Sequence, residues 1–136
     1  IKDLGNLGTI IRSSVAFGAD AIVLYGESVD IYNPKCVRAS VGNLWKLPII
    51  HIGNLEDLNE IFEGFEKIAT LPRSNNMLKS FTPTLPTVVM FGSESNGLSE
   101  DLIKFSTNSV KIEMAKTVES LNLATSVSVI LYELFV

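Results

Sequence analysis

Short, largely apolar runs recur along this chain, separated by segments with apolar residues at helical spacing, and that alternation restricts the fold more than any other feature. Ala21 to Tyr25 is such a run, closed by Gly26, and Ile49 to Ile52 is another, led in by Pro48. Lys67 to Leu71 and Thr87 to Phe91 are further runs, and Val110 to Glu113 is a shorter predicted strand. A strand with one wet face alternates apolar and polar residues, whereas an unbroken apolar run belongs to a strand covered on both faces. Between the runs, Leu7, Ile10, Ile11, Val15 and Ala16 mark a helical stripe over Asn6 to Phe17, with Gly18 as its stop. Pro34 opens a helix predicted to reach Leu44, and Asn54 or Asp57 starts an acidic one reaching about Phe65. Ser99 caps a further helix with Glu100 and Asp101 in its first turn, and a last helix runs from Leu121. Elements in this order predict an α/β domain, a mostly parallel sheet with helices on both faces.

In such sheets ligands bind at the loops beyond the carboxyl ends of the strands. Two loops there are rich in candidate groups, Gly92 to Leu98 and Met114 to Asn122. The segment Pro72 to Pro86, full of Pro, Ser, Thr and Asn, is predicted to be a long loop with an extended piece at Met77 to Phe81.

Composition narrows the partners. The 136 residues, 46% of them hydrophobic, suffice for one domain with a real core. A formal net charge of −4 argues against a surface coated for nucleic acid and leaves room only for a local basic cluster, a separate basic domain or a groove between two chains. Nothing resembles a secretory leader, and the longest apolar stretch, Leu121 to Val136, is broken by Asn122, Thr125, Ser126, Ser128 and Glu133. Cys36 is the one cysteine, so the chain has no internal disulfide and no cysteine zinc cluster. The expectation is a cytoplasmic protein with no membrane contact and no metal.

Polar residues gather at three places, and each has a plain reading beside a functional one. Asp3, Asn6, Gly8 and Arg12 make either a helix capped by Asn6 with a solvated arginine or a guanidinium clamp for phosphate. Phe91-Gly92-Ser93-Glu94-Ser95-Asn96-Gly97-Leu98 is either an ordinary polar turn or a ligand loop in which glycine allows close backbone approach and Glu94 orients a hydroxyl or amine. It is neither a P-loop nor a dinucleotide GxGxxG turn. Glu119-Ser120-Leu121-Asn122 is either a helix cap or a pair of hydrogen-bonding groups, Ser120 and Asn122, at a helix start.

Taken in order and spacing, these segments resemble the motifs of the SpoU/TrmH family of SPOUT RNA 2′-O-methyltransferases. Asn6-Leu-Gly-Thr-Ile-Ile-Arg12 with Phe17-Gly18 is similar to motif one, and Phe91 to Leu98 to motif two. Ile112-Glu-Met114, Val118-Glu-Ser120-Leu-Asn122 and the helix ending Leu131-Tyr-Glu133 are similar to motif three. Arg38-Ala-Ser-Val-Gly42 before Leu47-Pro48 resembles the segment usual between motifs one and two. The chain departs from the family pattern at Glu113, where proline is usual, and at Lys116, often glycine. The resemblance covers nearly the whole chain and implies a C-terminal deep trefoil knot that no periodicity argument reaches. It implies a catalytic domain over residues 1–136, without the strand that usually precedes Asp3 or an N-terminal RNA-binding domain.

The implied activity is methyl transfer from S-adenosyl-L-methionine (AdoMet) to a ribose 2′-hydroxyl of tRNA or rRNA. The resemblance assigns Arg12, Asn6, Glu94, Ser120 and Asn122 to the polar catalytic site. It assigns Gly92, Ile112 and Leu121 to the cofactor pocket, with Met114 near and Leu71 at its margin. It further implies a homodimer in which the motif-one arginine of one subunit reaches the other's cofactor site. The sequence has its own hint of a partner, since Leu121, Leu123, Val127, Val129, Ile130, Leu131, Leu134 and Phe135 spread around most of the last helix. Such a pairing would let Arg12, Lys35 and Arg38 from both chains line one groove.

Two other readings compete. One is a knotted module that binds RNA or AdoMet without catalysis, and the other is an unrelated nucleotide-binding α/β enzyme, which the missing phosphate-loop patterns disfavour. His51, the only histidine, reads as structural, Cys36 as a packed thiol, and Trp45 as a core or interface anchor rather than a base-stacking platform.

Overall fold

A computed structural model of the chain describes residues 1–27 and 30–136. Helix α1 (Leu4–Ala16) leads to strand β1 (Ile22–Tyr25), α2 (Pro34–Ser40), β2 (Ile49–Ile52), α3 (Leu55–Ile61) and β3 (Glu66–Thr70). A short 3-10 helix (Leu78–Ser80), β4 (Thr87–Met90), α4 (Glu100–Phe105), β5 (Asn108–Val110) and α5 (Leu123–Phe135) follow. Every pairing among the described strands is parallel, as the apolar runs require. The strands form two sheets rather than the one expected: β1 pairs with β2, and β3 lies between β4 and β5.

Several predicted boundaries move, each for a local reason. The helix opened by Pro34 stops at Ser40 and not at Leu44, because Val41 takes a left-handed conformation with φ of 52° and Gly42 follows at 76°. The acidic helix is capped by Asn54 and ends at Ile61 instead of Phe65, short of Gly64 at φ 82°. The last helix starts at Leu123, with Asn122 as its cap. The piece Met77 to Phe81 is not an extended strand: only Met77 bridges Lys111, and Leu78 to Ser80 coil into the 3-10 turn. The strand expected over Val110 to Glu113 is instead Asn108–Val110, its continuation reduced to that single bridge.

The first helix starts a turn earlier than its apolar stripe. Asp3, not Asn6, is the N-cap, its carboxylate accepting the Asn6 backbone N–H at 3.0 Å. Helix α1 then packs on α2 so closely that a side chain at Gly8 would collide with Ala39, Cys36 and Ser40. Leu7, Ile11, Leu24, Ile31, Cys36, Leu44 and Leu47 form one core, while Ile68, Leu78, Val110 and Ile130 form a second. Helix α1 joins the two, since its opposite side meets α5, where the Ser13 and Ser128 hydroxyls lie 2.7 Å apart. Ile11 and Ile130 are essentially inaccessible, and truncating such a residue to alanine costs about 2–5 kcal/mol.

Candidate functional site

Parallel registry places the site. Ala69 pairs with Met90 and Thr70 with Val110, so β4, β3 and β5 end level with one another. Leu71 follows β3 directly, and Gly92 and Ile112 lie two residues beyond β4 and β5. At about 4.8 Å between neighbouring strands, these three positions predicted for a cofactor share one sheet edge. The edge is fastened by the Leu71 N–H, donating to Val110 O at 2.9 Å, and by the Thr70 hydroxyl, donating to Met90 O at 2.9 Å.

The loop after β4 is held by its own glycines. Gly97 N–H donates to Ser93 O at 3.1 Å and Asn96 N–H to the Ser93 hydroxyl at 3.2 Å. Gly97 has φ of 66°, and a Cβ at Gly92 would run into the backbone of Gly97 and Leu98. The loop therefore doubles back on its first residue, which carries Glu94 to the start of α1.

There the three polar segments meet. Asn6 Nδ2 donates to Glu94 Oε1 at 3.4 Å, and Asn122 Nδ2 donates to Asn6 Oδ1 at 3.0 Å. Asn122 Oδ1 meanwhile accepts the Thr125 N–H at 3.1 Å and caps α5. Asn6 is free to join Glu94 to Asn122 because Asp3 has taken over the capping of α1. Desolvation pushes the Glu94 carboxyl up, but the nearby backbone N–H groups of Glu94 and Lys2, the Asn6 amide bond and the positive charge at residue 1 together hold the group below its ordinary range. The Asn6 N–H likewise holds Asp3 low. The trio is thus anionic near neutrality, hydrogen-bonded and open to solvent, able to hold a hydroxyl or ribose by further hydrogen bonds.

Among the described residues, no other predicted site residue hydrogen-bonds to this trio. Ser120 is exposed two residues before Asn122, and Leu121, also exposed, lies between them. Met114 is exposed in the same loop, and Ile112 packs against the second core. Glu113, in the place where the family has proline, accepts the Lys79 N–H at 3.4 Å and so ties this loop to the 3-10 turn. Arg12 is not drawn into the trio: it sits further along α1, roughly 9 Å of helix rise past Asn6, and is exposed.

Among the described residues no cluster of His, Cys, Asp or Glu is placed to hold a metal ion, and no helix is long and apolar enough to cross a membrane. Cys36 is fully buried, and burial, with the charge of Asp30 beside it, pushes its thiol up, which suits a packed thiol and not a nucleophile. Trp45 is 74% exposed, so of its two expected roles the core is excluded. Sequence reasoning passed over Tyr32, which stacks on it; nothing in their spacing signals the pair.

Comparison with known proteins agrees with the motif reading. Residues 1–132 match the SpoU rRNA methylase family. An uncharacterized tRNA/rRNA methyltransferase of Synechocystis is 42% identical over 135 residues, covering 98% of this chain and 49% of that protein. The 23S rRNA (uridine(2479)-2′-O)-methyltransferase of Streptomyces viridochromogenes is 33% identical, over 95% of this chain and 47% of its own length. The chain thus spans about half the length of these curated relatives. The crystal structure of the SpoU methyltransferase AviRb from Streptomyces viridochromogenes in complex with AdoMet superposes with a TM-score of 0.89 at 33% identity, over 96% of this chain and 52% of that one. The AdoMet-bound rRNA methyltransferase of Sinorhizobium meliloti gives 0.89 at 34% identity, over 96% and 51%.

Proposed function

The chain belongs to the SpoU rRNA methylase family, and from that premise we propose that it is the catalytic domain of an AdoMet-dependent methyltransferase acting on a ribose 2′-hydroxyl of ribosomal or transfer RNA. The observation that carries this reading is the convergence of Asn6, Glu94 and Asn122, from segments far apart in the chain, into one hydrogen-bonded group. A fold without use for these residues has no reason to bring all three motifs to one point.

The edge formed by Leu71, Gly92 and Ile112, with Met114 and Leu121 from the following loop, fits a ligand that is part apolar and part hydrogen-bonding. It offers partly exposed apolar side chains beside the ends of three strands. These residues would hold AdoMet, which supplies an already activated methyl group. The chain itself must position the acceptor and raise its nucleophilicity. Asn6, Glu94, Ser120 and Asn122 orient the ribose through hydrogen bonds. Arg12 grips the adjacent phosphate and stabilises negative charge developing on the 2′-oxygen; a guanidinium does not give up its proton readily enough to act as base.

Two further features belong to the proposal. The first is the trefoil knot. Support comes from Lys111, whose N–H and C=O bond Asn76 O and Leu78 N at 3.0 and 2.9 Å, and from Leu78, packed beside Ile130 of α5. The second is a homodimer with shared sites, which would bring Arg12 of one subunit to the trio of the other and explain its distance from the trio within one chain. The substrate implies a cytoplasmic protein. Incubating the full-length protein with AdoMet and an unmodified rRNA transcript tests the activity: S-adenosylhomocysteine should form only when RNA is present. RNA-independent formation or none, by a folded protein, would contradict it.

A further inference from the structure

A shallow hollow of about 380 Å³ opens beside α2, lined by Ile31, Tyr32, Leu44, Trp45, Lys46 and Leu47. Ile31, Leu44 and Leu47 are buried and form its floor. Tyr32 and Trp45 stand above it, 58% and 74% exposed, with ring centroids 5.4 Å apart and planes inclined by 25°. The backbone beneath both rings is hydrogen-bonded. Asp30 Oδ1 accepts the Tyr32 N–H at 3.0 Å, and the turn carrying Trp45 is braced by Lys46 N–H to Asn43 O at 3.0 Å and Asn43 Nδ2 to Ser40 O at 2.9 Å. An exposed aromatic stack on a buried apolar floor has hydrophobic surface left over that no other described residue covers.

Its surroundings point to the occupant. Lys46 lines the hollow, and Lys35 and Arg38 are exposed on α2, against the carboxylates of Asp30 and of Asp3, the second of which pairs with Lys35. In a chain with a net charge of −4, this is a locally basic patch. It also adjoins the polar trio, for Lys35 Nζ lies 4.0 Å from the Asp3 carboxylate that caps the helix bearing Asn6. Aromatic faces flanked by lysine and arginine are the chemistry that holds unpaired bases: the ring stacks on the base while the cations meet its phosphates. A paired helix keeps its bases stacked inside and cannot use such a platform.

We propose that the Tyr32–Trp45 stack is a docking platform for an unpaired base of the RNA substrate, a few nucleotides from the ribose to be methylated. This rests on the RNA methyltransferase reading and adds that the target lies in a single-stranded or looped segment.

Three forms of the full-length protein test the proposal: wild type, Trp45→Ala and Trp45→Phe. The probes are single-stranded oligoadenylate, an abasic ribose-phosphate oligomer of equal length and a blunt RNA duplex. Oligoadenylate should quench a fluorescence component present in wild type and missing from Trp45→Phe, and the abasic oligomer and the duplex should not. Trp45→Ala should weaken oligoadenylate binding about ten-fold or more, with AdoMet affinity and melting temperature unchanged, while Trp45→Phe keeps most of the affinity. Unchanged oligoadenylate affinity in Trp45→Ala, or equal quenching by the abasic oligomer, would overturn the platform. A shift of Trp45→Ala from dimer to monomer would overturn it too, by assigning the patch to a second copy. The binding readouts do not depend on methyl transfer: lack of turnover in wild type sinks the activity, and intact turnover with an indifferent Trp45 sinks only the platform.

Discussion

Arg12 sits in the third turn of α1, exposed, and in no ion pair among the described residues. A guanidinium kept free at the surface costs nothing in desolvation and is available to phosphate. Arg12→Ala should therefore abolish methyl transfer and leave AdoMet affinity, read by calorimetry, within about two-fold of wild type, a change worth less than 0.5 kcal/mol. Near-full turnover in the variant would mean that the role was assigned to the wrong side chain. Gly92 behaves in the opposite way, since its lack of a side chain is what lets the loop fold back on Gly97 and Leu98. Gly92→Ala should destabilise the domain by about 1–3 kcal/mol in urea unfolding and weaken AdoMet binding with it, because the obstructing atoms are backbone and cannot swing aside. Glu94 offers a pH test. Its lowered carboxyl contributes stability that is present above the unfolded pKa and lost as pH falls through the folded one. The Asn6–Glu94–Asn122 link should therefore persist through neutral pH and loosen only in acid. A carbon-detected NMR titration of Glu94 with its midpoint at or above that of a free glutamate would contradict this.

At the scale of elements, α5 buries Ala124, Val127 and Ile130 and leaves Val129 and Tyr132 exposed on the opposite side, with Val136 exposed just past its end. That second stripe is the surface expected to meet another subunit. Val129→Asp should convert a dimer to a folded monomer and abolish turnover along with the shared site; light scattering that shows a dimer in both proteins would remove α5 from the interface. How legible each element was depended on its source of stability. Strands fixed by their own apolar runs, such as Ile49–Ile52 and Thr87–Met90, stand where the sequence puts them. Boundaries fixed by a single backbone angle, as at Val41, or by a distant partner, as at Met77 with Lys111, leave no periodic trace. The site was legible as three motifs, but not the hydrogen bonds that join them: the apolar stripe of the first helix made Asn6 look like its cap, whereas Asp3 fills that place and releases Asn6 for Glu94. A core place for Trp45 was expected because an apolar aromatic is usually buried, and sequence alone does not say what lies above it.

Across the whole molecule, the account requires an acidic chain to hold RNA. Its cations are few, and Lys35, Arg38 and Lys46 lie on or next to α2, so affinity for RNA should come from a limited number of phosphate contacts and show a shallow salt dependence. The central claim is narrower, that the methyl group goes to a ribose oxygen. A ribose methylated at the 2′-position cannot attack its neighbouring phosphate, so the bond beside it survives alkali. Treating an rRNA transcript with the full-length protein and AdoMet, then hydrolysing it in alkali, should leave an AdoMet-dependent resistant dinucleotide that is absent with Arg12→Ala. Methyl incorporation that yields only alkali-labile products, with the label on a base, would contradict the account.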